Sequence, residues 1–241
     1  VIANRDDGFE FFGGTVNGRY LLSAYCGDDA FDFDLGYRGN CQFIAGLQAG
    51  ATGDLLMELS DRQGWPATRP TIANGTFIGR GIDENGQTAR FDNSSGGTIA
   101  NSIFMHQKQG IDIEYGGDQL NSYQQFLNGH IRILNNVFHM VGNSSALQIL
   151  GVYSENINDI TEQDKNVSDH FQEGNNILAN PEIDYNPQEI DQMTLQPANH
   201  NLSENWTLND NWFEQVNFKG AFGERDWLKN WSILDQEGLI K

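Results

Sequence analysis

Two acidic pairs, Asp6-Asp7 and Asp28-Asp29, lie 22 residues apart, and each pair precedes a short strand-like segment. Carboxylate oxygens at the turns before strands, where backbone carbonyls are also free, form the hard oxygen set that Ca²⁺ prefers. These four aspartates are therefore predicted to bind Ca²⁺. The same side chains could instead cap their turns by accepting hydrogen bonds from their own backbone amides, and the sequence leaves both interpretations open.

The segments after the acidic pairs alternate aromatic and acidic residues, as Phe9-Glu10-Phe11 and Phe31-Asp32-Phe33. In a strand, this period of two places the rings on one face and the carboxylates on the other. We expect the four phenylalanines to share one core and Glu10 and Asp32 to point outward. Weaker copies at 54–59 and 110–115 indicate a repeat of about 22 to 27 residues, which is typical of a solenoid.

A second series repeats the pattern I-A-N-x-x-F at 72–77 and 99–104, and its end recurs at 134–138. One asparagine at the same place in each repeat suggests side-chain amides stacked in a ladder along the repeat axis. Two interleaved strand series joined by turns predict an all-β fold, a right-handed parallel β-helix solenoid. Its coils are predicted to occupy residues 1–154.

The composition changes after residue 154. Residues 155–216 are rich in Asn, Asp, Gln and Glu and contain three prolines, which predicts a polar, loop-rich wrap. Residues 217–241 carry aromatic residues spaced to cover an open end of a solenoid, and we expect this C-terminal cap to bury Phe222, Trp227 and Trp231. The chain starts like the middle of a strand-turn-strand unit, so further N-terminal coils are expected, and free strand edges at Val1 should associate with other chains.

The overall charge excludes one class of partner. The chain has 241 residues, and 14 Lys+Arg against 33 Asp+Glu give a net charge of -19, which repels phosphate backbones and anionic membrane surfaces. Nucleic acid is therefore not expected as a partner, and without a run of 18 apolar residues no membrane insertion is expected in this segment. The two cysteines, Cys26 and Cys41, could form one disulfide or remain buried thiols.

Several motifs together resemble a known family. These are DDGFEFFGGTVN at 6–17, GDDAFDFDLGYRG at 27–39, PTIANGTFIG at 70–79 and KGAFGERDWLKNW at 219–231. They resemble the C-terminal half of secreted or lipid-anchored bacterial surface proteins that have a parallel β-helix of pectate-lyase-like fold. The resemblance covers most of residues 1–145 and 217–241. It implies the fold, an upstream half and an extracellular or outer cell-surface location, and it implies no particular activity.

The acidic residues also suggest an enzymatic alternative. Asp7, Asp28 and Asp29 resemble part of the aspartate set of polygalacturonase-type β-helix hydrolases. Inversion needs an acid and a base about 6.5–9.5 Å apart, and adjacent coils about 4.8 Å apart could supply that separation. The Gly-His-Gly and Arg-Ile-Lys motifs of those hydrolases do not follow, and Arg19 and Arg38 are the nearest bases for a lyase. No catalytic residue is therefore predicted, and a polysaccharide hydrolase or lyase is kept as the alternative.

These observations predict an extracellular or cell-surface structural or binding module that is stabilised by calcium and self-assembles. Its expected partners are other copies or the upstream half of the same protein, and a surface polysaccharide. Weaker candidates for ligand contact are Glu10, Asp32, Asp34, Trp65 and Tyr115.

Overall fold

The chain is built mostly of short strands. A computed structural model describes residues 1–62, 66–117, 120–199 and 207–241. In chain order the strands are β1 Phe9–Phe12, β2 Gly18–Ala24, β3 Phe31–Asp34, β4 Asn40–Leu47, β5 Leu55–Leu59, β6 Thr71–Ala73, β7 Thr76–Gly81, β8 Gln87–Phe91, β9 Gly97–Ala100, β10 Ile103–Gln107, β11 Gln109–Glu114, β12 Ile131–Leu134, β13 Val137–Val141, β14 Leu150–Tyr153 and β15 Ile177–Leu178. The α-helices are α1 Ser122–Leu127, α2 Ala146–Ile149, α3 Thr161–Glu173 and α4 Ile233–Gln236.

The strands form two sheets in which successive repeats lie side by side. The first sheet has the order β1-β3-β5-β8-β11-β14. The second has the order β12-β9-β6-β4-β7-β10-β13-β15, with β2 paired to β4. The pairings between these strands are parallel, as in β1 with β3 and β7 with β10. The described residues thus form an all-β fold with parallel sheets and few helices.

The predicted stacking of aromatic rings is confirmed. Phe9 pairs with Phe31 and Phe11 with Phe33, and their ring centroids lie 5.4 and 5.3 Å apart. Phe31 and Phe33 are fully buried, and Phe9 and Phe11 pack against the same cluster. This cluster between the sheets is called the inner core.

A second aromatic ladder runs through the inner core along the I-A-N-x-x-F series. Phe104 lies between Phe77 and Phe138, at ring-centroid distances of 5.1 and 5.0 Å. The ladder continues to Phe171 of α3, 5.7 Å from Phe138. The inner core therefore extends from the first repeat to α3.

The predicted asparagine ladder is present, and it has a backbone cause. Asn74, Asn101 and Asn135 all have positive φ, between 50° and 57°, a conformation that asparagine tolerates better than most residues. The Asn135 amide donates to Oδ1 of Asn101 at 2.9 Å, and the Gln42 amide donates to Oδ1 of Asn74 at 3.2 Å. Hydrogen bonds between side-chain amides of neighbouring repeats thus stabilise the bends that join consecutive strands.

The repeat also continues further than the sequence analysis predicted. Asn175 has a φ of 54°, like the three ladder asparagines, and β15 follows it and pairs with β13. Next to it, Oδ1 of buried Asn176 accepts from the backbone N–H of Asn136 at 3.0 Å. The pattern Asn-Asn-Val-Phe at 135–138 recurs as Asn-Asn-Ile-Leu at 175–178, which is the signal that could have revealed this copy.

The region predicted as a loop-rich wrap therefore begins with regular structure. Helix α3 packs Val167 and Phe171 into the inner core, while its remaining side chains are mostly polar. Only two apolar residues at i and i+4 mark the buried face, so the polar composition concealed the helix.

The C-terminal segment packs on a different surface from the predicted one. Phe222 and Trp227 are buried, but they lie on the outer face of the second sheet with Ala45, Ile78 and Met105, in a cluster called the outer cluster. The prediction that Trp231 is buried is wrong, because its side chain is 58% exposed. The aromatic spacing correctly indicated an apolar contact face but could not indicate which surface of the sheets it covers.

Gly220 marks the crossing of this segment over the sheet. Its φ is +83°, and a Cβ there would lie 2.8 Å from both Ile103 and Thr76. The Gly220 amide donates to the carbonyl of Asn101 at 2.9 Å. A residue without a side chain is needed for this close approach of the two backbones.

The two cysteines are buried free thiols, and no disulfide links them. The Cys41 thiol lies 3.6 Å from the hydroxyl group of Tyr37. Within the described parts of the chain, none of the helices combines the length and the apolar character needed to cross a membrane.

Candidate metal centre

The acidic pair Asp6-Asp7 is positioned by a tight turn before β1. At Gly8, which ends this turn, an added Cβ would lie 2.0 Å from Oγ of Ser23 and 2.6 Å from the carbonyl of Ala30. Glycine is therefore required where the turn meets the next repeat. Packing thus requires glycine at the third position of Asp6-Asp7-Gly8. The two carboxylates before it lie at the surface of the turn.

The structure gathers the acidic residues into three overlapping groups. These are Asp6, Asp7 and Asp28; Asp7, Glu10 and Asp32; and Asp28, Asp29 and Asp54. Within each group, one oxygen from each side chain lies within 4.8 Å of the others. Two oxygens bound to the same Ca²⁺ at about 2.3–2.6 Å are at most about 5 Å apart, so each group has dimensions that fit one ion.

The group of Asp7, Glu10 and Asp32, called the acidic cluster, has a feature that the other groups lack. Glu10 and Asp32 are register partners on β1 and β3. Asp32 is only 8% exposed, and its Oδ1 is buried without a hydrogen-bond partner among the described residues. A buried carboxylate oxygen without a donor is costly unless a cation or a proton satisfies it.

The electrostatics of the acidic cluster favour a positive ion. Burial raises the pKa of Asp32 to about 8, and the carboxylates of Glu58 and Asp7 contribute to the shift. Burial also raises the pKa of Asp7, with a smaller contribution from Asp28. Each raised pKa means that the charged carboxylate is disfavoured at that position. A bound divalent cation would compensate this negative charge.

Asp7 and Asp29 also accept backbone hydrogen bonds, but from the next repeat and not from their own turns. Oδ1 of Asp7 accepts from the Asp29 N–H at 2.9 Å, and Oδ1 of Asp29 accepts from the Leu55 N–H at 2.7 Å. Each aspartate therefore bonds the backbone of the next repeat. Asp29 is 4% exposed, and burial raises its pKa to about 9, so burial disfavours the charged form of this side chain.

The four aspartates predicted as one calcium site are therefore divided between groups. Asp6 and Asp7 share one group with Asp28, whereas Asp29 belongs to another. The structure also joins Asp7 to Glu10 and Asp32, which the sequence had suggested only as weaker ligand contacts.

The other weak candidates have different surroundings. Asp34 is buried, and its Oδ1 accepts from the Leu35 N–H at 2.6 Å. The Tyr115 ring packs edge-on against Tyr123 at 5.3 Å and contacts the inner core. Trp65 lies outside the described residues.

Sequence reasoning missed a row of ionisable residues that extends the acidic cluster across the first sheet. The strand register pairs Asp32 with Glu58, Glu58 with Arg90, and Arg90 with Asp112. The Arg90 guanidinium lies 5.2 Å from the ring centroid of Tyr153. Aligning β5, β8 and β11 by their strand positions would have shown this row in the sequence.

The three carboxylates of the enzymatic alternative differ in their surroundings. One oxygen each of Asp7 and Asp28 lies within 4.8 Å of the other. Oδ1 of Asp29 accepts from the Leu55 N–H. These contacts leave the choice between a binding role and an enzymatic role open.

Comparison with known proteins agrees with the parallel sheets. No curated protein and no solved structure matches the chain. A family model described as a pectate-lyase-like beta helix domain matches residues 1–182, which is 182 of the 241 residues. The chain belongs to this family of pectate-lyase-like beta helix domains.

Proposed function

We propose that the protein is an extracellular or cell-surface structural and binding module, a right-handed parallel β-helix solenoid whose acidic cluster binds Ca²⁺. The observation that carries the proposal is the buried, unpartnered oxygen of Asp32 among the converging carboxylates of Asp7 and Glu10. Calcium sites of extracellular modules have dissociation constants of about 10⁻⁴–10⁻³ M. A site with three carboxylates on the surface of a rigid sheet fits that class.

Calcium would act here by joining two repeats. Asp7 and Glu10 belong to the first repeat, which contains β1 and β2. Asp32 belongs to the second repeat, which contains β3 and β4. An ion that binds all three would hold β1 against β3 and replace the repulsion between the carboxylates with attraction. Binding only to the folded state would therefore stabilise it.

Isothermal titration calorimetry with CaCl₂ tests the calcium site. We expect binding by the wild type and at least about tenfold weaker binding by Asp32→Asn, because the variant lacks the buried carboxyl group that would bind the ion. Asp83→Asn is the matched control, since Asp83 is exposed and lies in none of the three acidic groups. Equal affinity of the wild type and Asp32→Asn would show that Asp32 does not bind calcium.

Assembly through the first repeat is part of the same proposal. Strand β1 lies at the end of its sheet, and β2 pairs with β4 on one side while residues 1–3 bond its other side near Ala24. Phe12 is 61% and Val16 is 64% exposed nearby. Open strand edges with exposed apolar side chains support pairing with further coils or a second copy. Sedimentation should therefore show a mass that rises with concentration, and a constant 27.0 kDa would contradict this part.

Polysaccharide hydrolysis or elimination is a second candidate function, favoured by a different residue. Burial raises the pKa of Asp92 to about 6, while its hydrogen bond from Tyr153 and the nearby Arg90 lower it. A carboxyl group of that pKa is suited to proton transfer near neutral pH. If this function is correct, Asp92→Asn abolishes the release of sugar ends by the wild type, and a wild type that releases none removes this candidate.

A further inference from the structure

A cleft lined with aromatic side chains lies between the first two repeats of the second sheet and the C-terminal segment. Its volume is about 680 Å³, within the range of about 300–1,000 Å³ that is usual for small-molecule sites. The aromatic residues that line this aromatic cleft are Tyr20, Phe43, Phe218, Trp227 and Trp231. None of them belongs to the acidic cluster.

Two of these rings occupy backbone positions that asparagine fills elsewhere. The register pairs Gln42 with Ala73 and Ala45 with Thr76, so Phe43 corresponds to Asn74. By the same alignment of β2 with β4, Tyr20 corresponds to Phe43. The column of ladder asparagines therefore becomes aromatic in the first two repeats.

This replacement strains the backbone. Tyr20 has a φ of 57° and Phe43 a φ of 54°, in the left-handed region that bulky side chains avoid and asparagine tolerates. Strain of this kind concentrates at functional sites. Packing gives only part of a reason for Tyr20. Its ring stacks on Phe43 at 5.3 Å and meets Trp227 edge-on at 5.6 Å, yet the residue is 42% exposed.

The C-terminal segment contributes Trp231, a flat ring that is exposed and yet held by contacts on its own segment. The indole N–H of Trp231 donates to the carbonyl of Trp227, and the two rings stack at 6.3 Å. Trp227 in turn stacks on buried Phe222 at 5.2 Å. Trp231 therefore has a fixed orientation, yet 58% of its surface faces solvent.

The rim of the cleft is polar and carries both signs of charge. Asn217, Glu224 and Arg225 line it and are exposed. Glu214, also at the rim, forms an ion pair with Arg19 at 2.7 Å. The net charge of -19 disfavours an anionic ligand, and an aliphatic ligand would leave the polar rim without hydrogen bonds.

We propose that the aromatic cleft binds an uncharged glycan. A pyranose ring has a face of C–H groups that packs on aromatic rings and an edge of hydroxyl groups that needs hydrogen bonds. Tyr20 and Trp231 supply the stacking surfaces, and Asn217, Glu224 and Arg225 supply the hydrogen bonds. This inference deepens the binding part of the proposed function but does not depend on the calcium site.

The test is calorimetry and tryptophan fluorescence with neutral cello-, xylo- and mannohexaose, carried out in chelator so that calcium plays no part. Oligogalacturonate and a medium-chain fatty acid are the comparison ligands. We expect at least one neutral hexaose to bind and to perturb tryptophan emission. Tyr20→Asn and Trp231→Ala should each weaken binding about tenfold, because each removes one stacking surface.

The variant Tyr20→Asn distinguishes binding from packing. Asparagine is the residue that later repeats use at this position, so the melting temperature should stay constant or rise while glycan binding is weakened. Leu127→Ala is the control, since Leu127 is exposed on α1 and does not line the cleft, and it should bind like the wild type.

Several results would overturn the inference. Absence of binding by every neutral hexaose would do so, as would tighter binding of oligogalacturonate or the fatty acid. Unchanged binding by both Tyr20→Asn and Trp231→Ala would place the ligand elsewhere. An intact calcium response alongside any of these results would leave the calcium proposal standing, so the two can fail separately.

Discussion

Replacing Phe104 with alanine is expected to lower the free energy of unfolding by about 3–5 kcal/mol, the usual cost of removing a buried aromatic side chain. Phe104 is fully buried and lies between Phe77 and Phe138, so the variant loses two ring contacts and leaves a cavity in the inner core. Urea unfolding followed by circular dichroism measures the change.

The control for this substitution is Leu127→Ala. Leu127 is 55% exposed on α1, and its replacement should change stability by no more than about 0.5 kcal/mol. A loss below about 1 kcal/mol for Phe104→Ala would mean that the ladder of Phe77, Phe104 and Phe138 is not a continuous part of the core.

Calcium is expected to raise the melting temperature of the wild type. A ligand that binds only the folded state at 100 times its dissociation constant stabilises that state by about 2.7 kcal/mol. The stabilisation between excess chelator and this calcium concentration should fall by about 1.4 kcal/mol or more in Asp32→Asn, which corresponds to at least tenfold weaker binding, and should persist in Asp83→Asn. Since each variant is compared with itself, any intrinsic effect of the substitution cancels.

The calcium effect should depend on pH with a defined sign. Burial raises the pKa of Asp32 to about 8, above the value of about 3.9 for an unfolded aspartate. In chelator, Asp32 keeps its proton in the folded state between about pH 4 and pH 8, whereas in the unfolded state it has lost it. The free energy of unfolding therefore falls as the pH rises through this range. Calcium competes with the proton, so the gain in melting temperature should be larger at pH 8 than at pH 5. A larger gain at pH 5 would contradict this account.

The sequence predicted those parts of the fold that follow from local periodicity. The alternation in Phe9-Glu10-Phe11 and Phe31-Asp32-Phe33 was enough to predict the stacked pairs, because the faces of a strand alternate with period two. The recurrent asparagine was enough to predict the ladder of Asn101 and Asn135. Both features depend on contacts between equivalent positions of neighbouring repeats. These positions can be found by aligning the sequence with itself at an offset of one repeat.

Long-range contacts were not accessible in the same way. The contact of Phe222 with the outer face of the second sheet joins segments far apart in the chain, and no periodicity encodes it. Helix α3 was concealed because a polar helix with two buried residues, Val167 and Phe171, resembles a polar loop in composition.

The candidate metal centre was partly predictable. The acid pairs identified Asp7, but the choice of Glu10 and Asp32 as its neighbours depends on the parallel register of β1 with β3. The buried oxygen of Asp32 depends on the packing of side chains around it. Residue types therefore indicated the chemistry, whereas the assembled sheet determined which carboxylates meet.

Anomalous X-ray diffraction from crystals soaked in a calcium or lanthanide salt is the most direct test of the central claim. The account predicts an anomalous peak within bonding distance of Asp7, Glu10 and Asp32, at about 2.3–2.6 Å for calcium, and no such peak in crystals of Asp32→Asn. The claim would be contradicted if crystals soaked at a saturating ion concentration showed no peak among these three carboxylates. A peak that persists in Asp32→Asn would also contradict it.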